Sequence, residues 1–336
     1  MSAQRRPDWP KVRLHVVTGK GGTGKSTVAA ALALALASHG KNVLVCEVEG
    51  RQGIARMFDV DPLPYEEVRV ATGLSTDRGA GTVHALHIDP ESALLEYLAM
   101  YYKLGRAGRA LDRFGVVEFA TTIAPGVRDV LLTGKVYEAV ERNSRNRNAI
   151  TYDAVVLDAP PTGRISQFLN VSDELAGLAK VGPIKNQSDT MMTLFRSPRT
   201  AVHLVTVLEE MPVQETHDGI EELRRDGLPV GGVVVNMVRP RDIGHDDLAL
   251  ARADDLDRDA LATDLAEAGL PVSDPLLDGL LRVAHDHAER RALEDAQRAL
   301  VADFGVPSYE LPRLPGGVDL GGLYELAAAL KEQGIA

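Results

Sequence analysis

Eight consecutive residues carry chemistry that the rest of the chain must position: Gly19-Lys20-Gly21-Gly22-Thr23-Gly24-Lys25-Ser26. Their spacing, G-x-x-x-x-G-K-S, suits a loop that wraps a chain of phosphates. Glycines let successive backbone N–H groups turn toward one anion, and a helix starting at the end of the loop adds partial positive charge. Lys25 can then reach the β- and γ-phosphates, and the Ser26 hydroxyl can ligate Mg²⁺. Thr23 and Thr27 complete the loop residues expected around the phosphates. Farther along, Val155-Val156-Leu157-Asp158 ends an apolar run on a carboxylate, an arrangement that orients Mg²⁺, often through water.

A loop of this kind works only between a strand and a helix. Leu14, Val16 and Val17 supply strand character before it, and 27–37 is almost wholly Ala, Leu and Val, as expected of a helix buried behind it. Strand patterns recur at 13–18, 42–48, 82–88, 154–158, 201–208 and 232–236, with helical patterns between them. This alternation predicts an α/β fold, a doubly wound and mostly parallel sheet of the P-loop NTPase kind. Ligands gather at the carboxyl ends of such strands, where the loop, Glu49, Asp158 and Asn236 would all fall. The stretches 91–141 and 172–197 carry helical patterns alone, which predicts a helical subdomain set into one domain spanning 1–336. The apolar stripe Met191, Met192, Leu194 and Phe195 reads as core. Beyond Asn236 come an acidic helical stretch, a long helix from about Leu276 to Phe304, a short strand at 309–311 and a last helix at 320–330.

Composition removes several function classes. The 336 residues are 45% hydrophobic, enough to build a large core and to exclude a disordered chain. Net charge is -11 and no basic block could track a phosphate backbone, so nucleic acid is not an expected partner. The local group Arg142, Arg145 and Arg147 reads as a solvated helix end. Cys46 is the one cysteine and lies in the apolar run 43–48, so it reads as a buried thiol in a reducing cytoplasm. Arg5-Arg6 lacks the apolar stretch of a secretory signal, and the run 28–37 is too short to span a bilayer, so no direct membrane insertion is expected. His285 and His287, two apart on a helix, point to different faces and make a poor metal pair.

Lys20, at the front of the loop, changes the comparison. Gly-Lys-Gly-Gly-x-Gly-Lys-Ser resembles the deviant P-loop of dimeric ATPases, among them the nitrogenase iron protein, partition ATPases, the arsenite-pump ATPase and the tail-anchored-protein targeting ATPase. Asp158-Ala159-Pro160-Pro161-Thr162-Gly163 is similar to the second switch of the last two. Leu86-His87-Ile88-Asp89-Pro90 and Ala124-Pro125-Gly126 resemble their entries to the helical subdomain. The resemblance implies ATP and Mg²⁺ as cofactors, Lys20 crossing a dimer interface, Asn236 reading the adenine edge, and a loop 311–320 containing Pro315 closing over the base.

Four departures shape the expected role. Relatives carry Thr-Asp-Pro-Ala-His where this chain has Val48-Glu49-Gly50-Arg51-Gln52, so Glu49 would be the carboxylate that activates water, moved outward by one methylene. A displacement of about 1 Å can cost on the order of 10²-fold in rate, which makes this a slow ATPase or a nucleotide-binding regulatory subunit. Lone Cys46 supplies neither metalloid thiolates nor a Cys-x-x-Cys zinc site. One P-loop implies a second half from another subunit, in a homodimer or a heterodimer with a related ATPase chain. Charges at Lys103, Arg106, Arg109, Asp112 and Arg113, and at Lys185, Asp189 and Arg196, interrupt any apolar groove. The expectation is therefore a switch read by an unidentified protein partner, neither a metalloid pump subunit nor a tail-anchor carrier.

Overall fold

The computed structural model describes residues 8–49, 52–74, 79–102, 125–142, 149–170 and 183–336. Its strands are β1 (Leu14–Gly19), β2 (Val43–Glu47), β3 (Val68–Thr72), β4 (Thr82–His87), β5 (Ala154–Asp158), β6 (Thr200–Thr206), β7 (Val230–Val238) and β8 (Ser308–Pro312). They form one sheet in the order β3-β4-β2-β5-β1-β6-β7-β8, parallel except for β3. Among the described residues the helices are α1 (Lys25–Ala37), α2 (Gly53–Met57), α3 (Pro90–Tyr102), α4 (Pro125–Glu141), α5 (Thr162–Leu169), α6 (Pro183–Phe195), α7 (Glu210–Arg225), α8 (His245–Arg252), α9 (Arg258–Glu267), α10 (Asp274–Ala302) and α11 (Leu320–Glu332). The predicted α/β fold with a mostly parallel, doubly wound sheet is what forms.

Residue alternation decides which helix covers which face. Leu14, Val16, Leu44, Cys46, Val155 and Leu157 point to one face and pack with residues of α3, α4, α5, α6 and α7. Val17, Val43, Val45, Ala154 and Val156 point to the other, against α1, α2 and α11. Because β1, β2 and β5 are covered on both sides, their sequences are nearly continuous apolar runs. The chain leaves β1, crosses by α1 and re-enters at β2, two places away across β5. That skip opens a crevice at the carboxyl ends of β1, β5 and β2, the position where open α/β sheets bind ligands.

The structure corrects the reading in several places. Edge strand β3 is absent from the strand pattern read above: Val68, Val70 and Thr72 give it β-branched character, but its register shifts between Arg69 and Ala71 and its burial hardly alternates. Arg142 is not a solvated helix end: its side chain is 7% exposed and held by Glu67 at 2.8 Å and Glu138 at 2.7 Å. It also donates to the Ile150 carbonyl at 3.0 Å, so burial is offset by a full set of acceptors. Arg145 and Arg147 lie outside the described residues, as do Lys103 to Arg113 and 171–182. Met191, Met192, Leu194 and Phe195 are buried, as a core stripe should be. Thr133-Gly134-Lys135 lies inside α4, and Lys135 pairs with Glu96 at 2.7 Å. Among the described residues no helix is long and apolar enough to cross a membrane.

Two histidines give the core a pH dependence. His15 and His203 are wholly buried neighbours on β1 and β6, stacked with ring centroids 5.3 Å apart. The Gly232 N–H donates to His203 Nδ1 at 3.2 Å, which leaves the proton on Nε2 to donate to His15 Nδ1 at 3.0 Å. Burial pushes His203 down to about 4, and burial and then His203 push His15 well below its ordinary value. Depressed histidine values mean that the unfolded chain binds protons first. Stability is therefore present above about 6.5 and lost as pH falls toward 4. From His203 alone we expect the unfolding free energy to drop by roughly 2 kcal/mol between pH 7.5 and 5. Urea unfolding at the two pH values checks this, and an unchanged midpoint would contradict the neutral pair.

Candidate active site

The glycine loop is shaped by contacts that only glycine permits. Gly19 has φ 155, and a Cβ there would overlap the Val205 carbonyl on β6. Gly24 caps α1 with φ 88, and a Cβ there would overlap the Asn236 amide. Asn236 is buried and donates its amide Nδ2 to the Thr23 carbonyl at 2.9 Å, so β7 braces the loop from behind. Thr23 Oγ1 closes the loop onto the Lys20 carbonyl at 2.9 Å, and Thr27 Oγ1 donates to Met57 Sδ at 3.5 Å. Val28 to Ala37 are buried without interruption, anchoring the helix whose N-terminus faces the crevice.

The two residues expected to share a metal meet directly. Ser26 Oγ donates to Asp158 Oδ2 at 2.5 Å. Burial pushes Asp158 up to about 7; the Ser26 hydroxyl opposes that shift and Glu47 adds to it. Glu47 stands opposite Asp158 in the β2–β5 register and is 2% exposed. Its Oε1 accepts the Gly53 N–H at 2.8 Å, while Oε2 is buried with no hydrogen-bond partner. Burial raises its pKa, partly countered by the Gly53 N–H. This carboxylate is missing from the sequence reading; a glutamate inside the apolar run 43–48 was the available signal.

The other candidates stand around this centre. Lys20 extends to Glu215 on α7, Nζ to Oε2 3.2 Å, with both side chains about one-third exposed. Glu49, half-buried just past β2, lines a cavity of about 220 Å³ with Arg128, Asp129, Pro160 and Arg164. It acts on Asp158 less than Glu47 does. Arg164 in the first turn of α5 approaches Asp129 on α4 at 3.7 Å. Thr18 Oγ1 donates to the Pro160 carbonyl at 2.7 Å, tying the end of β1 to the segment after Asp158. Met237, next to Asn236, is exposed with φ 58, a left-handed conformation unusual for a side chain of its size. Pro315 is exposed in the turn after β8, whose Arg313 N–H bonds the Val238 carbonyl at 2.8 Å. That turn therefore leaves the sheet beside Asn236.

Among the described residues no three His, Cys, Asp or Glu side chains form a metal cage by themselves. The donors present nonetheless fit Mg²⁺, which takes few protein oxygens and fills its remaining positions with water and phosphate. A hydroxyl and a carboxylate adjoin, a second carboxylate has an orphaned oxygen, and Gly53 leaves a space that a Cβ would fill, 3.5 Å from Glu47 Oε1 and 3.9 Å from Ser26 Oγ.

A sequence model of the family described as Anion-transporting ATPase matches residues 12–198 of this chain. The chain belongs to that family. The match runs from β1 to the end of α6 and so takes in the glycine loop, Glu47, Glu49 and Asp158. Over 331 residues the chain is 53% identical to ATPase BagA of Mycobacterium tuberculosis, covering 97% of this chain and 96% of that one. A more distant family relative is ATPase get3 of Pyrenophora tritici-repentis, 27% identical over 192 residues, 56% of this chain and 52% of that one.

Proposed function

We propose that this chain binds and hydrolyses ATP with Mg²⁺ and works as a dimeric conformational switch. The observation that carries the reading is the meeting of Ser26 with Asp158 at the mouth of a braced glycine loop. In this reading the backbone N–H groups of Gly21, Gly22 and Gly24 and the Lys25 ammonium hold the phosphates, with Gly19, Thr23 and Thr27 keeping the loop in shape. Ser26 and Asp158 hold Mg²⁺, which when bound neutralises charge on the phosphates. Glu49 orients the attacking water and accepts its proton, slowly because of its longer arm. The Asn236 amide and the turn containing Pro315 take the adenine, an assignment supported by the contact of Asn236 with the loop at Thr23 and by the bond from Arg313 at the start of that turn to Val238, two residues on from Asn236. Lys20 leaves Glu215 and meets the partner subunit's nucleotide. Cys46 is buried, and its thiol is pushed well above its ordinary value by that burial. This supports a function other than metalloid transport or zinc-joined tail-anchor capture. The segments 162–169 and 125–141, joined by Arg164 and Asp129, would carry the nucleotide state to an unidentified protein partner.

A second reading is favoured by one observation: Glu49 lines a cavity with Arg128 and Arg164 and acts on Asp158 less than Glu47 does. The chain would then bind ATP, hydrolyse little, and pair with a related active chain. Single-turnover measurements with γ-labelled ATP and Mg²⁺ separate the two. The first reading expects phosphate release that stops on adding EDTA, and a dimer with a non-hydrolysable ATP analogue by native mass spectrometry. Tight ATP binding without phosphate release would establish the second reading instead.

A further inference from the structure

Glu47 has features that a purely structural carboxylate does not need. Oε1 is spent on the Gly53 N–H at 2.8 Å, which fixes the start of α2. Oε2 is enclosed by protein, with no partner, in a side chain only 2% exposed. A buried carboxylate oxygen left unpaired is costly, of order 1–3 kcal/mol or more, and such a group is found where an ion or water completes it. The register places Glu47 directly across from Asp158, on the face of the sheet that α1 covers. The missing Cβ of Gly53 leaves a space between the Oε1 side of the Glu47 carboxylate and Ser26: its position lies 3.5 Å from Glu47 Oε1, 3.8 Å from Ser26 Cβ and 3.9 Å from Ser26 Oγ.

We infer that Glu47 is a further positioning residue of the site, its free oxygen holding a water of the cation that Ser26 and Asp158 bind. The inference rests on the proposed ATP- and Mg²⁺-dependent function and adds a residue to it. One carboxyl group thereby serves two elements. Oε1 sets the entry to α2 and Oε2 reads the cation, so occupancy of the metal site is linked to the placement of the segment after β2, which carries Glu49.

The test uses the full chain, a fluorescent ATP analogue and titration with MgCl₂. Glu47→Gln keeps the size of the side chain and an acceptor for the Gly53 N–H while removing the charge. It should keep its melting temperature and its analogue affinity in EDTA, yet need about tenfold more Mg²⁺ for half of the metal-dependent gain in affinity. Gly53→Ala gives a second route should Glu47→Gln fold poorly: alanine suits a helical position, and its Cβ makes only ordinary contacts but occupies the space between Glu47 and Ser26. It too should raise the Mg²⁺ requirement without lowering the melting temperature. A wild-type Mg²⁺ requirement in a folded variant would overturn the inference and leave the ATPase reading standing. If the wild-type chain binds no analogue with or without Mg²⁺, the ATPase reading fails and the inference falls with it.

Discussion

Replacing Lys25 with alanine is expected to weaken Mg²⁺–ATP binding by the isolated chain on the order of 100-fold. Lys25 opens α1, one residue after the left-handed Gly24, and in the proposed function its ammonium group would contact the phosphates held by the loop. One charge pair at about 4 Å is of order 4 kcal/mol near a protein surface, and desolvation removes part of that, leaving roughly 3 kcal/mol. Lys20→Ala should behave differently, changing the affinity of the monomer less than about threefold. In the single chain Lys20 is occupied by Glu215 at 3.2 Å, and a pair exposed to about one-third contributes only about 0–1 kcal/mol. Its loss should instead remove nucleotide-dependent dimer formation or turnover. Isothermal titration with a non-hydrolysable analogue, followed by sedimentation, reads both quantities. Equal loss of monomer affinity in the two variants would refute the division of labour between the lysines.

Gly19→Ala should destabilise the fold itself, by about 3–5 kcal/mol in urea unfolding. The backbone at Gly19 has φ 155, and the new methyl would overlap the carbonyl of Val205, a buried residue in the β1–β6 ladder that cannot move aside. The parallel register would have to open where the phosphate loop begins. Gly21→Ala is the matched control: its Cβ meets nothing within 4 Å and its φ is not positive, so stability should change by no more than about 0.5 kcal/mol. If the two variants melted alike, Gly19 would be serving flexibility and not close approach.

These two glycines show what the sequence could and could not reveal. The loop 19–26 is legible as a candidate because its pattern is local: the residues proposed to meet the phosphates are adjacent in the chain. The α/β alternation was readable for the same reason, since each strand and helix carries its own period. Glu47 was not, because its meaning comes from register; only the pairing of β2 with β5 puts it across from Asp158. The bracing of the loop by Asn236 likewise depends on a contact 213 positions away in the chain. Arg142 was misread because neither Glu67 nor the Ile150 carbonyl is predictable as its partner from spacing. Strand β3 was missed for a different reason. It is short, partly exposed and antiparallel at an edge, so its alternation is weak beside the apolar runs of the central strands.

The unbroken burial of Val28 to Ala37 has one more consequence. Amide hydrogens in that helix are expected to exchange with solvent chiefly when the whole domain opens. An anion that docks on the loop stabilises the domain by RT ln(1 + [L]/Kd), and exchange along α1 would record that gain in full, far from the ligand itself. Helix α9, in which no residue is buried, can open without the rest of the molecule and would record none of it. The chain thus carries both a reporter of occupancy and an internal reference that is blind to it.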